Sequence, residues 1–150
     1  MTKMLPTKRC LAAALVAAGG SCWAALGDPS ASVANGAGVS SARVQTAAGA
    51  SYTQLTRRLE SGTEVREYAD AGGTVFAVSW SGPFLPDLRA LLGPHFAALE
   101  QHSAVAGRSS AVSISRPDVA IISAGRMGAF QGRAWLPRQL PAGLDPRTLQ

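Results

Sequence analysis

The sequence predicts an α+β domain, an antiparallel sheet of five to six strands in β-β-β-α-β-β-β order packed on one kinked helix. Three observations lead there. Residues 52–80 alternate apolar and polar between Gly-rich turns, residues 85–99 repeat leucine and phenylalanine at helical spacing, and residues 112–136 return to short β-branched runs. A basic leader and a flexible tether are expected to precede this domain.

The first three strands are expected at Tyr52–Leu59, Thr63–Ala69 and Thr74–Trp80, separated by Glu60-Ser61-Gly62 and Asp70-Ala71-Gly72-Gly73. Strict alternation places Thr74, Phe76, Val78 and Trp80 on one face, with Phe76, Val78 and Trp80 toward the core. Ser81-Gly82-Pro83-Phe84-Leu85-Pro86 then breaks the sheet. Pro86 suits a first helical turn, and Asp87 favours the positive end of the helix dipole. Leu85, Leu88, Leu91, Leu92, Phe96 and Leu99 form the apolar stripe, and Pro94 predicts a kink or two short helices. Residues 103–111 read as a loop. Val112–Arg116, Val119–Ser123 and Ala129–Leu136 complete the strands, before Pro137 and Pro141 end regular structure.

The start of the chain has a different character. Lys3, Lys8 and Arg9 precede the apolar run Leu11–Ala18, and small residues follow up to Ala25, the pattern of a secretory signal peptide cut after Ala24. The run is too short for a comfortable bilayer span. Cys22 offers a minor alternative, lipidation at the cut site, but Gly19 stands where a lipobox places an aliphatic residue. Residues 25–50 are small and polar and read as a flexible tether, leaving 51–142 as the single folded domain and 143–150 as a tail.

Loss of residues 1–24 changes the charge balance. The chain as a whole carries +5, but the expected mature part keeps eleven arginines against nine acids and no lysine. Cys10 and Cys22 leave with the leader, so no disulfide is expected even in an oxidising compartment. A net charge near +2 also removes most of the case for nucleic-acid binding. The arginine- and alanine-rich composition fits a GC-rich bacterial genome.

Catalytic signatures are sparse. His95 and His102 are seven residues apart, about 10 Å along one helix, too far to share a zinc ion, and no third ligand joins them. No Gly-x-Ser-x-Gly elbow, phosphate loop or dinucleotide fingerprint occurs. Glu64 and Glu67 fall on opposite faces of a strand, which leaves them as single solvent-facing charges rather than a glycosidase pair. No catalytic residue, metal site or cofactor is therefore expected. Two segments remain as a candidate ligand or partner surface: the loop carrying Trp80 and Phe84, and the C-terminal run carrying Arg126, Arg133 and Trp135. The two arginines there suit bidentate contact with an anionic group.

These same residues carry a resemblance. Gly49–Thr53, Ser61–Tyr68, Gly73–Pro83, Leu85–Arg89, Gly132–Pro137 and Leu140–Gly143 match in order and spacing. Over roughly residues 49–144 the chain resembles an uncharacterised family of secreted proteobacterial proteins, a domain of unknown function. The resemblance implies export and one compact domain, and brings no activity or cofactor. A histidine is common in that family where this chain has Arg126, so no histidine-based role is expected there. The reading overall is an exported, periplasmic or secreted, non-enzymatic domain that binds an envelope protein or component, with no transmembrane span once the leader is gone. The alternative is a small secreted hydrolase with a Ser/His site built on His95 or His102.

Overall fold

The computed structural model describes residues 24–30, 38–107 and 109–149. The proposed leader up to Trp23, the lipidation candidate Cys22 and tether residues 31–37 lie outside the described residues. What is described is an antiparallel sheet with helices on one side, as the pattern of elements predicts.

The sheet has seven strands rather than five or six. They are β1 (Val39–Gln45), β2 (Ser51–Arg58), β3 (Glu64–Ala69), β4 (Val75–Gly82), β5 (Ala111–Ser115), β6 (Ala120–Arg126) and β7 (Ala129–Trp135). Their spatial order is β1-β2-β3-β4-β7-β6-β5, every neighbouring pair antiparallel. The additional strand is β1, within the segment expected to be a tether. It is an edge strand exposed along most of its length, so no face is buried enough to impose alternation on the sequence. Thr46 closes its hairpin, accepting from the Gly49 amide through its carbonyl and from the Ala50 amide through Oγ1. The Thr46 hydroxyl in turn donates to the Ala142 carbonyl at 2.8 Å.

The β3–β4 turn is built by Asp70, whose Oδ1 accepts from the Gly72 and Thr74 amides at 2.9 Å each. Just beside it the ladder slips. Tyr68 pairs with Ala77, but Ala69 pairs with Val75, so Phe76 is the extra residue of a bulge. The slip corrects the expected core face. Val75, Val78 and Trp80 face the helices, whereas Phe76 and Ala77 join Tyr68 and Leu149 on the other side. Tyr52, Tyr68 and Phe76 cluster there with ring centroids 6.0–6.4 Å apart.

The helical stripe divides as Pro94 predicts. Helix α1 (Leu88–Leu92) gives way to one 3₁₀ turn at Gly93–His95 and then to α2 (Phe96–Ala106). Asp87 is the N-cap itself, accepting from the Arg89 and Ala90 amides, and α2 runs four residues into the expected loop. Leu88, Leu91, Leu92 and Ala98 pack on Leu55, Val65, Val78, Ile114, Ile121 and Ala134 of the sheet.

Two more segments outside the expected domain belong to the fold. Ala24–Ser30 threads between α1 and the start of β4: the Leu26 amide donates to the Leu91 carbonyl, the Gly27 amide to Val75, and the Val75 amide to Asp28. Leu26 is fully buried. At the other end, residues expected as a tail return across the face away from the helices, and Leu149 is buried against Tyr68, Phe76 and Ala77.

Candidate functional site

Helices cover one face of the sheet, and the other is open except where residues 140–149 lie on it. Antiparallel register sets the side chains of this open face into two cross-strand rows. Arg58, Glu64, Ser81, Gln131 and Ala124 make one, while Arg66, Ser79, Arg133 and Ile122 make the other. The two serines on central strand β4 are short, and the residues flanking them are long. This difference in length makes a hollow of about 600 Å³, bounded by Gly62 at one end and Leu149 at the other.

Three guanidinium groups face this hollow against one carboxylate. Arg66 pairs with Glu64, an arrangement with both side chains about one-third exposed. Arg133 is held at the tail end, where Nη1 donates to the Arg147 carbonyl at 2.8 Å and reaches the Leu149 carbonyl at 3.5 Å. Its Nε is buried without a hydrogen-bond partner among the described residues. Arg58 is exposed and makes no hydrogen bond or ion pair among them. The Ser79 hydroxyl is engaged with the Tyr68 hydroxyl at 3.3 Å. Forked guanidinium donors beside serine and glutamine suit a carboxylate or phosphate.

The residues singled out from sequence do not converge. Arg133 lines the open-face hollow, and Trp135, half-buried, stands beside it next to Leu149. Trp80 is 2% exposed, and its ring lies on the helix side, against Gly132. A Cβ at Gly132 would overlap that ring, and one at Gly125 would overlap Phe130, so glycine on each strand lets an aromatic ring lie flat across the sheet. Those packing needs account for Gly125 and Gly132, while Gly128 in the β6–β7 turn takes a positive φ of 86° with nothing against it. Arg126 lines a second cleft of about 680 Å³ at the end of the sheet where β4 and β6 finish, and Phe84 follows Pro83, which lines the same cleft. Arg58, Arg66 and Gln131 were not singled out. Only the strand register brings them beside Arg133.

His95 and His102 are both half-buried. His95 lines a third hollow of about 370 Å³ with Asp28, Asp118 and Arg138, but none of the residues lining it is a serine, threonine or cysteine. Among the described residues no three His, Cys, Asp or Glu side chains converge on a metal-sized site, and no helix is long and apolar enough to cross a membrane. Glu67 is the further departure from expectation. It is only 4% exposed, on the helix side between Leu55 and Val78, and burial pushes its pKa up to about 7 against the lowering effect of Arg57.

None of the curated proteins and none of the solved structures matches the chain. The model of one family, described as Protein of unknown function (DUF2844), matches residues 22–149. That span takes in every segment seen to pack together here, from Ala24 through β1 to Leu149, and the chain belongs to this family of uncharacterised domains.

Proposed function

We propose that the chain is exported to the envelope of a proteobacterium, loses residues 1–24, and serves there as a non-enzymatic domain that binds an anionic envelope component on the open face of its sheet. The observation that carries the binding reading is the pair of cross-strand rows that set Arg58, Arg66 and Arg133 around one hollow. Neither histidine nor cysteine lines that hollow, which favours holding a ligand over turning one over. The basic, then apolar, then small-residue start supports export. The compact packing of residues 25–30 supports a mature domain that begins just after the expected cut.

The test is a melting experiment on protein recovered from the exported fraction, whose intact mass should lack residues 1–24. Inorganic phosphate, citrate and polygalacturonate are the probes. A ligand that binds only the folded state raises stability by roughly 3 kcal/mol at a hundredfold excess over Kd, a shift of several degrees for a domain of this size. Arg58→Ala should weaken the shift about tenfold in ligand concentration, since a charged hydrogen bond is worth roughly 1.5–3 kcal/mol. Identical shifts in wild type and Arg58→Ala/Arg66→Ala, or none with any probe, would contradict the anionic-ligand reading.

A further inference from the structure

The sheet end opposite the C-terminal tail collects exposed apolar side chains from separate loops. Phe84 is 60% exposed and Leu85 48% exposed in the β4–α1 connection, and Met127 is 97% exposed at the tip of the β6–β7 hairpin. Val105, in the last turn of α2, is exposed as well, a few residues before β5 begins at this same end. Register fixes the juxtaposition: Gly82 pairs with Phe130 and Arg126 with Ala129, so the proline loop and the hairpin tip flank one cleft.

Phe84 is held outward. The Thr63 hydroxyl donates to its carbonyl at 2.7 Å and accepts from its amide at 3.3 Å, while Pro83 and Pro86 stiffen the loop on either side. An apolar side chain fixed in water on a rigid turn has no local way to bury itself. Among the described residues the cleft of about 680 Å³ between these tips is lined mostly by small residues and Phe130, with Ser81, Ser110 and Gln131 as polar groups and Arg126 as the charged one. The acid nearest by register is Glu64, which stands opposite Ser81 on the ladder but is paired with Arg66. Glu60, in the β2–β3 turn, is outside the lining, and Asp87 is committed to capping α1.

We propose that this end docks on an anionic phospholipid surface, with Phe84, Leu85 and Met127 entering the headgroup–acyl boundary and a lipid phosphate received in the cleft against Arg126. Separate protrusions around a polar hollow fit a fluid that closes around each of them. A protein partner would need a flatter, continuous apolar patch to reach interior packing density. The proposal takes its setting from the exported reading, but lipid contact is measured without export, and at residues distinct from the open-face arginines.

The experiment is co-sedimentation of the purified protein with vesicles of equimolar phosphatidylglycerol and phosphatidylethanolamine, and with phosphatidylcholine vesicles. Any contribution of residues 1–24 is common to all variants and cancels in the ratio. Phe84→Ser/Met127→Ser should lower partitioning about tenfold or more, from the apolar area it withdraws. Arg126→Gln should lower binding to the anionic vesicles roughly fivefold and leave phosphatidylcholine unaffected, as one basic residue near an anionic surface is worth about 1 kcal/mol. All three substitutions are at exposed positions, and unchanged melting confirms folding. Equal partitioning of wild type and the apolar double variant would overturn the proposal. So would saturable binding of glycerol phosphate without any vesicle binding, which would mark a free phosphate ligand, or loss of a captured envelope protein with vesicle binding intact.

Discussion

Glu67 shows how far one residue's chemistry depends on what covers it. The alternation of β3 places Glu64 and Glu67 on opposite faces, and the structure agrees. The helices, however, lie over the Glu67 side, so the residue expected in solvent is a buried carboxylate whose Oε2 has no hydrogen-bond partner among the described residues. With its pKa raised from 4.5 to about 7 mainly by desolvation, the folded protein holds a proton that the unfolded chain releases. Stability from this group is therefore complete below pH 4.5 and lost as pH rises through about 7, an effect of about 3 kcal/mol. Glu67→Gln keeps the shape and removes the charge. Denaturant melts across that window should show wild type losing stability toward pH 8 and the variant staying nearly flat. Parallel pH profiles for the two proteins would contradict a buried, protonated Glu67.

At the scale of elements, the legible ones were those whose own pattern encodes a covered face. β2, β3, β4 and the split helix follow from alternation, from the leucine stripe and from Pro94, with ends shifted by at most four residues. β1 and Ala24–Ser30 were not legible, for different reasons. β1 is an edge exposed on both faces and carries no alternation, whereas Ala24–Ser30 is too short for any period and takes its partners from Leu91 and Val75, far along the chain. The bulge at Phe76 was hidden for a related reason: a one-residue slip depends on the partner strand, not on the strand that carries it. The short N-terminal segment is structural nonetheless. Leu26→Ala should cost 2–5 kcal/mol of unfolding free energy, the range for emptying a fully buried leucine site, while Val105→Ala on the exposed last turn of α2 should change it little. Equal, small effects from both substitutions would mean that Ala24–Ser30 is not anchored in the core.

At the scale of the whole molecule, the sheet keeps its two faces for different tasks. One is closed by α1, α2 and Ala24–Ser30 over the main core, and the other carries a small aromatic cluster under Leu149 and the arginine-lined hollow beside it. The sequence reached that hollow through Arg133 and through Trp80, whose ring packs on the other side of the sheet, with Trp135 beside it. Arg58 and Arg66 sit on strands more than sixty residues earlier, and a single chain read in order does not show which arginines share a row. The family match carries no activity to this chain, so the open face is best tested directly. Amide chemical shifts of isotopically labelled protein, followed during titration with inorganic phosphate, citrate and polygalacturonate, give that test. An open-face site predicts saturable shifts confined to Arg58, Glu64, Arg66, Ser79, Gln131, Arg133 and their strand neighbours, with α1 and α2 unmoved. Shifts centred on the helical layer, or none with any of the three anions, would contradict it.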